Sequence, residues 1–182
     1  MNDADLHNAV VALRNGELVA YPTEAVWGLG CDPMNEAAVR KLLNLKRRPV
    51  EKGLILVAAS IKQFEPYLST INLEQRHQLE ASWPGFQTWV VPVPDTVPYW
   101  LTGQHSSIAL RVSTHPLIQK LCQAFAGPLV STSANPAGHL PALSAEEVHS
   151  YFDDQAFIVP GELGGADAPS SIIDLVTGKS LR

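Results

Sequence analysis

The chain has 182 residues, 46% of them hydrophobic and 17% charged, with a mean hydropathy of +0.02. That length and apolar share allow a core that folds without a metal or disulfide staple, and they exclude intrinsic disorder. Thirteen Lys and Arg against 18 Asp and Glu give a net charge of −5, which argues against a general nucleic-acid binder, because such proteins usually present a basic face to phosphates.

The first residues, Met1-Asn-Asp-Ala-Asp5, lack the basic and apolar regions of a leader, and no apolar run approaches the ~20 residues that span a bilayer. A soluble cytoplasmic chain folding as one domain over residues 1–182 is therefore expected. Asp5 to Asn15 carries Leu6, Ala9, Val10 and Leu13 at helical spacing, with Gly16 as the stop. Leu18 to Tyr21 reads as a strand closed by Pro22, and Val26 to Cys31 as a second short apolar run. Asn35 caps a helix bearing Ala38, Val39, Leu42, Leu43 and Leu45, from which Lys46 and Arg48 pass into a loop before Pro49. Gly53 to Ala59 has the unbroken apolar character of a strand buried on both faces.

Ser60-Ile-Lys-Gln63 and Asn72-Leu-Glu-Gln75 read as capping boxes opening two helices. Thr88 to Pro92 and Ser107 to Val112 are strand candidates around a Pro-rich loop. Pro116 opens a helix to Phe125, Leu129 to Ser131 is a strand, and Ser144-Ala-Glu-Glu147 is a third capping box. Phe157 to Val159 and Ser171 to Leu175 complete the strands. Alternating elements without repeats or long linkers predict an α+β fold, a three-layer α/β/α arrangement around a mixed parallel and antiparallel sheet, with chemistry at strand-end loops.

Charge is distributed unevenly. Arg40, Lys41, Lys46, Arg47, Arg48 and Lys52 place six of the thirteen cations within thirteen residues beside one acid, Glu51, whereas Ser144 to Gly178 holds no cation. Such a cluster is either a solvated helix end or an anion site. The common signatures are absent: no phosphate loop of the Gly-x-x-x-x-Gly-Lys type, no Gly-x-Gly-x-x-Gly, no Gly-x-Ser-x-Gly. Cys31 and Cys122 are expected as buried thiols, the six scattered histidines as surface or capping residues, and no metal ligand set is expected.

Several polar strand-end segments remain: Tyr21-Pro-Thr-Glu24, Lys46-Arg-Arg-Pro49 with Lys52-Gly53, Ser107 with Arg111, Ser131-Thr-Ser-Ala-Asn135, and Ser170-Ser171. The Ser131 to Asn135 run taken alone reads as loop backbone satisfied by its own hydroxyls and amide. Arg111 lies among Ile108, Ala109, Leu110 and Val112, and a buried guanidinium needs an anion, from the protein or from a ligand.

Seven segments in order, Tyr21 to Gly30, Leu45 to Pro49, Lys52 to Leu56, Trp100 to Gly103, Ala109 to Val112, Ser131 to Asn135 and Pro160 to Gly165, resemble the YrdC family across nearly the whole chain. The resemblance implies a twisted mixed sheet around a large concave, positively charged cleft. It also implies a nucleotidyltransfer reaction in which L-threonine, bicarbonate or CO2, and ATP give threonylcarbamoyl-AMP and pyrophosphate, with Mg2+ accompanying the ATP and no organic cofactor. The product would pass to partner proteins that modify the adenosine beside the anticodon of tRNAs reading ANN codons.

By position, the resemblance implies that Lys46 and Arg48 are catalytic and, with Lys52, hold ATP phosphates. Ser107, Ser133, Asn135 and Arg182 would also line the nucleotide site, and Thr23, Arg111, Ser131 and Ser171 would surround threonine. Ala25 and Val57 stand where many longer members have Thr and His, and Pro141 replaces a polar residue, so contacts at those places are expected to differ. The rival reading is a non-catalytic module that grips tRNA or double-stranded RNA through the Arg40 to Lys52 cluster.

Overall fold

The computed structural model describes residues 1–182. In chain order its elements are α1 (Asp3–Arg14), β1 (Leu18–Pro22), β2 (Trp27–Cys31), α2 (Glu36–Lys46), β3 (Ile55–Ala58), α3 (Leu73–Ser82), β4 (Gln87–Pro92), α4 (Tyr99–Thr102), β5 (Ser107–Val112), α5 (Pro116–Phe125), β6 (Leu129–Ser133), α6 (Ala145–Phe152), β7 (Ala156–Ile158) and β8 (Ser171–Asp174). Short 3-10 turns cover Val50–Lys52, Ile61–Tyr67 and Asp153–Gln155. The eight strands form one sheet in the order β7-β1-β2-β6-β3-β5-β4-β8. The pairs β1/β7, β3/β5 and β4/β8 are parallel and the others antiparallel, so the sheet is mixed as expected.

Successive residues of a strand face opposite sides, and that alternation sorts the core. Leu18 and Ala20 of β1, Leu56 and Ala58 of β3, and Val130 of β6 join a large apolar cluster with Val39, Leu42 and Leu43 of α2. Val19 and Tyr21, Val57, and Leu129 point the other way, into a smaller cluster with Ala9 and Leu13 of α1 and Leu117, Leu121 and Cys122 of α5. Helices thus flank both faces. On the second face, however, α1 and α5 reach only part of the sheet. The uncovered remainder, where Ile55, Ser107, Ala109, Arg111, Thr88, Val90, Ser131, Ser133 and Ile172 share one side, is the floor of a cleft of about 530 Å³.

Local chemistry explains most element boundaries. Asn35 caps α2 through Ala38 N–H, and Asn72 and Gln75 form the reciprocal box that opens α3. Asn2 and Asp5 form another box, so α1 begins at Asp3, two residues before the expected start at Asp5. At Ser144 the box is half made: the hydroxyl accepts from Glu147 N–H, but the Glu147 carboxylate turns to Leu143 N–H. The box expected at Ser60 does not form. Gln63 instead accepts from Ala59 N–H and donates to Cys122 O, both at 2.8 Å, and Ile61–Tyr67, which contains Pro66, winds as a 3-10 turn.

Two connections position the cleft. The residues between β7 and β8, 159–170, join the two opposite edges of the sheet. This strap is fastened by Val159 N–H to Ala20 O, Gly164 N–H to Thr23 O at 3.0 Å, and Ala166 N–H to Glu24 O at 2.8 Å. On the other side of the cleft, Gly103 after α4 lies against the Val50–Lys52 turn. Its φ is +62°, and a Cβ there would come within 2.6 Å of Val50 O and closer still to Glu51 O. Gly103→Ala should therefore destabilise the fold by about 2–3 kcal/mol in urea titration, whereas Gly138→Ala, with φ +84° but open space around it, should cost no more than about 1 kcal/mol. Equal costs would show that the close approach does not restrain this wall.

Candidate active site

The cleft wall gathers side chains from segments far apart in sequence: Thr23 and Glu24, Arg48 and Lys52, Ser107 and Arg111, Ser131 and Ser133, and Arg182. Ala25, Val57 and Pro141, the positions that depart from the family pattern, line it too. Its charged lining comprises four cationic side chains, Arg48, Lys52, Arg111 and Arg182, and one carboxylate, Glu24. The basic cluster of the sequence is split by the C-terminal turn of α2. Arg40 pairs with Glu36 in solvent, Arg47 takes a left-handed conformation at the helix end and points outward, and Arg48 and Lys52 reach the cleft.

Arg111 answers the question its apolar neighbours raise. Its guanidinium forms an ion pair with Glu24, donates from Nε to Gly85 O at 3.2 Å, and lies over the Phe86 ring with 4.8 Å to the centroid. Ser113 Oγ donates to Glu24 Oε1 at 2.7 Å and accepts from His115 N–H at 3.0 Å. Burial alone would raise the Glu24 carboxyl, but Arg111 and the Ser113 hydroxyl outweigh it and hold the group below the ordinary carboxylate value. Glu24, Phe86, Ser113 and His115 were not singled out from the sequence. Glu24 had a signal: it lies in a segment already marked, and Arg111 required an anion.

The other cations have no acid partner. Arg48 donates from Nη2 to Gly53 O at 2.9 Å, its Nε is buried without an acceptor, and burial lowers its pKa. Arg182 donates from Nε and Nη2 to Ser170 O, held there because residues 181–182 run along β8 through Leu181 N–H to Ile172 O and Ile172 N–H to Arg182 O. Burial, and then the nearby positive charge of Arg111, lowers the Arg182 pKa. Among the hydroxyls, Thr23 Oγ1 donates to Val26 O at 2.7 Å, and Ser131 lies against the buried Tyr21 phenol, whose pKa burial pushes up.

Three expected site residues lie off the cleft wall. Lys46 is the last residue of α2 and is buried, not exposed in a loop. Its ammonium donates to Ser133 O and, at 2.7 Å, to Asn135 O. Asn135 closes the following turn by donating to Pro136 O and His139 O. Ser171 pairs with Gln87 beside the pair Thr88 and Ile172, so alternation turns its side chain to the face opposite the cleft. Both cysteines are buried free thiols, as expected, and burial pushes Cys122 up to about 12.

Burial, then the neighbouring Arg48 charge, brings Lys46 down to about 8. The unfolded chain therefore binds this proton more tightly than the folded one, and stability should rise with pH between about 8 and the ordinary lysine value of 10.5. Urea unfolding of the wild type should show that rise and Lys46→Met should lack it; parallel pH profiles would remove the burial penalty from Lys46.

Two named relatives match this chain nearly end to end. The chain is 52% identical over 175 residues to a Chromohalobacter salexigens protein named threonylcarbamoyl-AMP synthase, covering 96% of this chain and 95% of that one. It is 52% identical over 183 residues to the Yersinia pestis protein of the same name, covering 100% and 96%. Among solved structures it resembles P. abyssi Sua5 complexed with L-threonine, with TM-score 0.88 and 32% identity over 99% of this chain, which spans 53% of that longer one. The Sua5/YciO/YrdC family model, described as telomere recombination, matches residues 11–182, a range that includes every residue of the cleft wall, and the chain belongs to that family.

Proposed function

We propose that this protein is a threonylcarbamoyl-AMP synthase, condensing L-threonine, bicarbonate or CO2, and ATP to threonylcarbamoyl-AMP and pyrophosphate. One observation carries the reading: a single cleft holds Arg48, Lys52 and Arg182 without acid partners beside the sealed Glu24–Arg111 pair. Arg48, half removed from water with no carboxylate partner, is costly unless an anion arrives, and the exposed Lys52 and Arg182 add charge to the same site. A triphosphate satisfies the first group and an amino-acid carboxylate is suited to Arg111, whose forked donors recognise that shape. Relatives that match nearly end to end bear this activity's name, and a structural neighbour was crystallised with L-threonine.

The chemistry asks for positioning and charge neutralisation, with no protein nucleophile. Threonine amine and bicarbonate give the carbamate and water; a carbamate oxygen then attacks the α-phosphorus of ATP, and pyrophosphate leaves. The carbamate and the mixed anhydride both decompose in water, so a recessed cleft protects them. In this assignment Arg48, Lys52 and Arg182 neutralise the phosphates, with Ser107 and Ser133 donating to the nucleotide. Thr23, Ser131 and Arg111 surround threonine. Lys46 and Asn135 act through the loop they fasten, and Ser171 supports the strand beside Ser170.

Mg2+ fits as part of the nucleotide, because the one cleft carboxylate, Glu24, already has Oε1 engaged by Arg111 and Ser113. Its contribution when bound is to neutralise phosphate charge. The product then feeds proteins that modify tRNAs reading ANN codons, which places its use in the cytoplasm. No helix is long and apolar enough to cross a membrane.

Pyrophosphate release from ATP by the purified protein, in bicarbonate buffer with Mg2+, should require threonine and fall with serine. Release independent of threonine and bicarbonate, or none, with RNA affinity that drops steeply with salt, would favour the RNA-binding module instead. Arg48→Ala should lower kcat/KM for ATP by about 10²–10³, roughly 2.7–4 kcal/mol, with little change in Tm. Wild-type kinetics in that variant would remove Arg48 from the phosphate site.

A further inference from the structure

The Glu24–Arg111 pair has unused capacity. Each side chain is only 9% exposed. A pair sealed this way gains from its geometry only when its remaining donors and acceptors are met. Glu24 Oε1 takes both the Arg111 guanidinium and the Ser113 hydroxyl, while Oε2 is buried with no donor from any other residue. On the facing group, Nη2 of Arg111 is spent on that carboxylate and Nε on Gly85 O, while Nη1 has no partner in the protein. Both residues line the cleft.

An orphan acceptor beside an under-used donor is the complement of an amino-acid zwitterion. We infer that Glu24 binds the amino group of the amino-acid substrate through Oε2, so that Glu24 and Arg111 grip the α-amino and α-carboxylate ends together. The inference rests on the amino-acid reading of the cleft given above and adds a contact to it. The ammonium brings three N–H donors to an oxygen that no other residue serves, and the charge it adds is offset by a carboxylate already held in its ionised form. After the amine has lost its protons and joined carbon as a carbamate, one N–H remains, and it still donates to Oε2. The same oxygen therefore holds the nitrogen before and after the new C–N bond forms. The grip also sets specificity: a hydroxy acid or a simple carboxylic acid satisfies Arg111 and leaves Oε2 orphaned, and a buried acceptor left unmet forfeits affinity.

The test is calorimetric titration of the full chain with L-threonine and with (R)-3-hydroxybutanoate, which is threonine without its amino group, in the wild type and in Glu24→Gln. The wild type should bind threonine more tightly by about tenfold or more, and Glu24→Gln should bring that ratio close to one by weakening threonine alone. Any disturbance of Arg111 by the substitution affects both ligands equally and leaves the ratio untouched. ATP titration of Glu24→Gln, expected at wild-type affinity, reports an intact nucleotide end. An unchanged ratio in a folded variant overturns the inference while leaving the amino-acid reading in place. Equal wild-type affinities for the two ligands overturn it whether or not the variant folds. Absence of threonine binding by a wild type that binds ATP removes both.

Discussion

A guanidinium inside a protein has to be neutralised, and much of the cleft is organised around how Arg111 meets that requirement. Its position on β5, two residues on from Ala109 and four from Ser107, fixes which face of the sheet it enters. The carboxylate that meets it comes from the loop between β1 and β2, at the other side of the floor. The ion pair thus draws that loop onto β5, and Ser113 and His115 extend the connection to the start of α5. Removing either member would strand a buried charge, a penalty of about 3–5 kcal/mol, so each residue depends on the other.

Around this neutral pair the remaining cations stay uncompensated. Evolution of a stable surface would supply Arg48 and Arg182 with carboxylates; here each spends its donors on backbone carbonyls of the cleft rim instead. Carbonyl partners orient a guanidinium without cancelling its charge, so the field in the cleft survives folding. Lys46 applies the same principle one layer deeper. It uses its charge to bind the carbonyls of Ser133 and Asn135, which fastens the end of β6 to the end of α2. The two segments of the family pattern that flank it, one from each element, are thereby made into one rigid wall.

The sequence made the sheet and its mixed character legible because strand alternation and turn residues are local signals. Asn35 and Asn72 announced their helices for the same reason. Gln63 shows where local reasoning stops: its side chain had a better partner in Cys122 O, 59 residues away, than in the backbone of Ser60. The four-residue α4 carries too few residues to show a period. In the site, most residues on the cleft wall were readable from their strand-end positions. Lys46 and Ser171, which the family resemblance assigned to the site, lie off the cleft wall: Lys46 spends its ammonium on the Ser133 and Asn135 carbonyls, and one residue of strand register turns Ser171 away while Ile172 faces in. Glu24 was passed over because its partner lies 87 residues further on, and no local pattern joins them.

The strap between β7 and β8 bears on how far the cleft can open. The edges it joins are seven strand spacings apart, roughly 34 Å across a flat sheet at about 4.8 Å each. Twelve residues, even fully drawn out, reach only about 45 Å. Much of that reach is consumed by the detour past Thr23 and Glu24. The strap therefore works as a tether with little slack: the two wings of the sheet can flex toward each other but not far apart. The width of the cleft is thus set by chain length as much as by side-chain packing.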